Sequence, residues 1–153
     1  MADGDPGTAV AWLESNQATA YMGWSVAGAG DVNGDGYADV IVGARRWDSA
    51  EMDAGAAFVF LGGASGIVGS DPGTAAARLE SDQEGAYLGT NVAGIGDVDG
   101  DGYADVIAGA PRHDAGEINE GASFVFLGGS FGIVSGGSGA AAAQLESDQA
   151  GAR

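Results

Sequence analysis

The sequence predicts an all-β fold made of two repeated four-stranded antiparallel units. One acidic loop with Val- and Gly-rich flanks occurs twice, as GDVNGDGYADVIVGA at residues 30–44 and GDVDGDGYADVIAGA at 96–110. The offset of 66 residues that relates Asp31 to Asp97 also carries residues 5–8 onto 71–74 and FVFLGG at 58–63 onto 124–129, with about two-thirds of aligned positions identical. The apolar runs are short, rich in Val, Ile and aromatic residues, and bounded by Gly, Asp and Ser turns, which is strand chemistry.

Each element follows in order. Strands at 25–30 and 39–44 flank the first loop, an apolar strand at 56–61 ends at Gly62-Gly63, and a shorter, more polar strand at 75–80 ends in Ser-Asp. Leu13-Glu14-Ser15 recurs as Leu79-Glu80-Ser81 and as Leu145-Glu146-Ser147, so the chain holds two units and a fraction. That fraction predicts a surplus outer strand at 9–14, while 141–146 is the outer strand of the second unit. The Ala-rich stretch 140–143 is equivalent to 74–77 and 8–11 and is assigned the same strand role. Four short strands repeated at this period describe a propeller blade. The organisation expected is a surplus strand and linker at 1–20, one blade at 21–86 and a second at 87–153, with the repeat array ending mid-unit at Arg153.

The loops have the donor pattern of a hard-cation site. Asp31, Asn33, Asp35 and Asp39 fall at loop positions one, three, five and nine, with the Tyr37 carbonyl at position seven; Asp97, Asp99, Asp101, the Tyr103 carbonyl and Asp105 repeat the set. Oxygen-only donors in a chain with no Cys and one His select calcium over zinc or copper, two ions per chain. An EF-hand is excluded, because its bidentate Glu at position twelve is replaced by Val42 and Ala108, and the flanks are strand-like where that motif needs helices. Asp99 in place of the neutral Asn33 predicts tighter binding in the second loop.

Tyr21-Met22-Gly23, the acidic loop and Gly43-Ala44-Arg45 together resemble the FG-GAP repeat of the integrin α-subunit β-propeller, with Tyr for Phe and Arg for Pro. Tyr87-Leu88-Gly89 through Gly109-Ala110-Pro111 keeps the full GAP. The resemblance covers nearly the whole chain and implies blades whose first two strands bracket a calcium loop, with both donor sets as ligands. It also implies an extracellular or cell-surface setting.

Propellers close with roughly four to eight blades, so two isolated blades leave two apolar faces open. The expectation is a homo-oligomer in which three or four chains close a ring of six or eight blades. The surplus strand at 9–14 would complete a neighbour's blade by strand exchange. The formal charge of −17, with every basic residue an Arg, disfavours nucleic acid and anionic membranes. No run of about twenty apolar residues or signal-type leader is present.

Catalysis has little support: His113 aligns with Trp47 and reads as a loop residue. Arg46/Arg112, Asp48/Asp114 and Glu51/Glu117 recur after the GAP strand and read as a solvated turn with a local ion pair, the alternative being a ligand face in an assembled ring. Trp12, Trp24 and Trp47 are not repeated and are assigned to packing. The reading is a non-enzymatic, calcium-binding propeller module that self-assembles as an interaction scaffold. Its alternatives are an adhesion or carbohydrate-binding module for an extracellular protein or glycan, and a fragment of a larger propeller enzyme.

Overall fold

The computed structural model describes residues 5–147. Nine strands form two sheets, and the described residues contain no α-helix. The first sheet takes β1 (Met22–Gly30), β2 (Asp39–Ala44), β3 (Ala56–Phe60) and β4 (Ala77–Glu80). The second takes β5 (Asn91–Gly96), β6 (Asp105–Ala110), β7 (Ala122–Phe126) and β9 (Ala143–Glu146). Within each sheet the four run antiparallel in that order; the two-residue β8 (Gly136–Gly137) adds to the first sheet, parallel to β4.

Each acidic loop closes the hairpin between the first two strands of its sheet. Gly30 pairs with Asp39, and Gly96 with Asp105, after a register shift at the preceding glycine. Gly30 has φ +77 and Gly96 φ +74, so an ordinary side chain would strain the bulge that turns the strand into the loop. The third strands, AAFVF and ASFVF, are central and pair on both sides, which suits their aromatic and β-branched residues.

The two sheets pack face to face. Ile41, Ala57, Val59 and Leu79 of the first meet Val106, Ala108, Phe124 and Phe126 of the second, and Leu88 fills the seam at full burial. Truncating a side chain of this kind to Ala costs about 2–5 kcal/mol. Gly43 allows the approach, since a Cβ there would overlap the Gly89 carbonyl oxygen. A smaller cluster of Val42, Ala44, Ala56, Phe58 and Phe60 lies on the other face of the first sheet, under Leu13, Trp47 and Ile67.

The structure corrects the surplus strand. Residues 9–14 form no strand; Glu14 N–H donates to the carbonyl of Ser70, in the loop between β3 and β4, at 2.9 Å, and Leu13 packs on the outer face of the first sheet. Glu80 pairs with Gly137 at the equivalent place one repeat later, beside Leu79 with Gly136. The N-terminal segment therefore lies where an outer strand belongs, but among the described residues no strand lies beside it to pair with. Strand propensity without a ladder does not suffice. A 3-10 turn at Ser138–Ala140 takes the start of the Ala-rich stretch, and β9 begins only at Ala143.

Candidate metal centres

Each loop is wound by its own first carboxylate. Asp31 Oδ1 accepts from Gly34 N–H at 2.7 Å and Asp35 N–H at 3.0 Å, and Oδ2 from Gly36 N–H at 2.8 Å. Asp97 repeats this with Gly100 at 2.7 Å, Asp101 at 3.1 Å and Gly102 at 2.8 Å. Asp35 and Asp101 accept from the amides of Tyr37 and Tyr103 at 2.9 and 3.0 Å. Successive amides folded over a carboxylate give a ring from which side-chain oxygens project at every second residue.

Asp39 and Asp105 are fully buried at the loop exits. Asp39 accepts from Val32 and Gly62 N–H, both at 2.8 Å, and Asp105 from Val98 at 2.7 Å and Gly128 at 2.8 Å. These residues read as ligands in the sequence, and the structure gives them a second task, fastening the hairpin to the turn after the third strand. The sequence signal is the Gly-Gly that ends each FVFLGG run.

Oxygens of Asp97, Asp99 and Asp105 lie within 4.8 Å of one another. Asp101 is outside that group, and in the first loop the Asp99 position is held by Asn33, whose Nδ2 donates to Asp35 Oδ2 at 3.0 Å. Burial pushes the Asp39 carboxyl above its ordinary value, against the two amides that lower it. Asp99 is also pushed up, first by desolvation within the loop and then by the charges of Asp101, Asp105 and Asp97. Asp97 is held down, chiefly by the Gly102 amide. Converging carboxylates of which one resists ionisation fit a hard divalent cation, whose charge would relieve the repulsion.

The loops after β2 and β6 depart from expectation. Among the described residues the one ion pair is Arg78–Glu80 at 3.4 Å, so Asp48 and Asp114 make no salt bridge. Each instead accepts a backbone bond, from Asp53 at 2.7 Å and Asn119 at 2.6 Å. A repeated glutamine that the sequence reading missed anchors each loop: Gln17 brackets the Asp48 backbone at 2.8 and 2.9 Å, and Gln83 that of Asp114 at 2.7 and 2.8 Å. Its signal was recurrence at the same offset. His113 is buried and stacks edge-on against Phe124 at 5.0 Å, as Trp47 does against Phe58 at 5.1 Å.

No helix among the described residues is long and apolar enough to cross a membrane. Integrin alpha-3 of Cricetulus griseus is 36% identical over 107 residues, covering 69% of this chain and 10% of that protein. Integrin alpha-PS5 of Drosophila melanogaster is 37% identical over 114 residues, 74% of this chain and 10% of that protein. Integrin alpha-V of Gallus gallus is 34% identical over 122 residues, 76% and 11%. The chain thus spans about a tenth of the length of the curated relatives it matches. The family model described as FG-GAP repeat matches residues 22–60 and 88–126, each match beginning just after Tyr21 or Tyr87, crossing the acidic hairpin and ending at the third strand. With about half of the sequence inside those two matches, one to each sheet, this chain belongs to the FG-GAP repeat family.

Proposed function

We propose that this chain is a non-enzymatic calcium-binding propeller module, with blades at 21–86 and 87–153, that joins copies of itself into a closed ring and works as an extracellular interaction scaffold. Asp31, Asn33, Asp35, the Tyr37 carbonyl and Asp39 would hold one calcium ion, and Asp97, Asp99, Asp101, the Tyr103 carbonyl and Asp105 the other. Bound calcium would supply positive charge and fix the loop backbone.

The observation that carries the reading is that the two sheet faces not joined to each other within the chain are repeat copies of the two that are. Val42, Phe58 and Phe60 correspond, 66 residues on, to Ala108, Phe124 and Phe126, which pack inside the chain. Ile41, Val59 and Leu79 correspond to Ile107, Val125 and Leu145, which are partly or fully exposed. Contact between one copy's second sheet and the next copy's first would repeat the internal seam, a heterologous contact of the type that closes rings.

A groove of about 1040 Å³ on the second sheet supports the same joint. It is lined by Asn119, Glu120, Gly121, Ser123 and Leu145. One repeat earlier, the carbonyls of Asp53 and Ala54 accept from the amides of Tyr87 and Leu88 at 3.3 and 3.0 Å. The matching plug in a second copy is Tyr21-Met22-Gly23.

Light scattering after size exclusion, with calcium and then with excess chelator, tests the reading. A discrete trimer or tetramer in calcium is expected. A monomer at all concentrations removes the ring. Asp35→Ala with Asp101→Ala should abolish calcium binding in calorimetry, and unchanged binding removes the ligand assignment.

A further inference from the structure

Three of the five basic residues of this −17 chain gather at one place. Arg45 Cζ lies 3.5 Å from the Trp24 ring centre and 5.6 Å from that of Tyr21. Arg46 Cζ lies between Tyr21 at 5.5 Å and Tyr87 at 5.8 Å, and Arg112 is 5.0 Å from Tyr87. The order Trp24, Arg45, Tyr21, Arg46, Tyr87, Arg112 makes a ladder of alternating rings and cations that crosses from one sheet to the other. It sits at the strand ends opposite the acidic loops, because β1 and β5 begin there and β2 and β6 end there.

We propose that this ladder is an anion site for the carboxylates of an acidic peptide. With acidic residues outnumbering basic ones 22 to 5, a solvated arginine would readily find a carboxylate, yet none of these three has one within ion-pair distance among the described residues. The Nε atoms of Arg45 and Arg46 are buried without a hydrogen-bond partner. Stacking uses the face of a guanidinium, so with Nε buried the in-plane terminal Nη groups are the donors left for a carboxylate. Like charges held this close are incomplete without a counter-charge.

The asymmetry between the repeats supports a role beyond packing. Tyr21/Tyr87 and Arg46/Arg112 recur, but Trp24 and Arg45 replace Thr90 and Pro111. The second sheet forms the same hairpin without them, so the fold does not need that pair. Trp24 is 52% exposed, which gives the apolar parts of a peptide a surface beside the charges. A highly charged polyanion would be opposed by the net charge, whereas one or two compact carboxylates are not. Every residue of the site belongs to one chain, so the inference does not rest on ring closure.

The test is titration of the full chain, at fixed calcium, with an end-capped, otherwise neutral hexapeptide carrying two Glu residues and with its Gln counterpart, following the indole N–H resonance of Trp24. The acidic peptide should bind and the amide peptide should not. Arg45→Gln and Arg46→Gln, each made singly, should weaken binding, and together at least about tenfold, while Arg78→Gln, the same charge change as either single variant made elsewhere, should not. Arg45→Pro installs the residue that the second repeat already accommodates and should also weaken binding with the fold intact. Equal binding of the two peptides, or an equal loss in Arg78→Gln, overturns the site. Displacement by a sulfated disaccharide at lower concentration than by the peptide overturns the peptide assignment. Light scattering on each variant separates these outcomes from any change in assembly.

Discussion

The backbone N–H of Ala104 donates to the Asp31 carbonyl across 2.9 Å, which makes the second acidic hairpin the bracket of the first. Gly129 N–H reinforces it on the Val32 carbonyl at 3.0 Å. Among the described residues the second loop has no such bracket; its counterparts would be Ala38 and Gly63 of another copy. The loops are alike in sequence and unlike in restraint.

Methyl groups at equivalent glycines should expose that difference. Gly34 and Gly100 share a left-handed φ, +76 and +80, so Ala costs each about 1–2 kcal/mol. A Cβ at Gly34 would also come 2.7 Å from Tyr103 Cε1, whereas at Gly100 it meets open space. Gly34→Ala is expected to lose about 1–3 kcal/mol more than Gly100→Ala in urea unfolding. Equal losses would mean that Tyr103 gives way freely and the bracket is soft.

Asp99→Asn installs the first loop's residue in the second and should separate two effects of opposite sign. Without calcium, removing a carboxylate that is crowded by Asp101, Asp105 and Asp97 should raise the melting temperature. With calcium, the lost donor charge should weaken the second site about tenfold, bringing the two sites together in calorimetry. A variant whose ion-free form melts lower than the parent would contradict the crowding.

The strands, the hairpin loops and the two-unit plan were legible because each rests on local chemistry repeated at one offset. Residues 9–14 were misread because their sequence matches a strand whose partner must come from elsewhere, and pairing is not a local property. Arg46 and Arg112 were expected in local ion pairs since Asp48 and Asp114 recur beside them. The structure turns those aspartates onto backbone amides and the arginines onto tyrosines, a choice made by side-chain direction. The bracketing of one loop by the other crosses two sheets, and no spacing within either loop encodes it.

His113 should make stability depend on pH. Burial against Phe124 holds its pKa below the usual 6.5, against the nearby charges of Asp114, Asp82, Glu120 and Glu146. The folded state therefore favours neutral imidazole, and its contribution is full above 6.5 and declines as pH falls through the lowered value. His113→Trp, which copies Trp47 on Phe58, should flatten the stability profile between about pH 7 and 5. An unchanged slope in the variant would assign the pH dependence to the carboxylates.

Val26→Glu should separate folding from assembly. Val26 is 68% exposed on the open face of the first sheet, where it lines an apolar groove of about 420 Å³ with Leu13, Val40 and Ile67. Its counterpart Val92 packs against the core between the sheets. Glu at an exposed strand position changes stability by only about 0.5 kcal/mol, so the single chain should fold as before. In a ring, the same carboxylate would lie where Val92 is partly buried against the core, at a cost of about 1–3 kcal/mol for an unpaired polar group. Val92→Glu should carry that cost into folding itself and lower the melting temperature of the single chain. Together the two variants predict a stable chain that stays monomeric and a destabilised one. If Val26→Glu assembles at the same concentration as the parent, copies do not meet through the repeat of the internal seam.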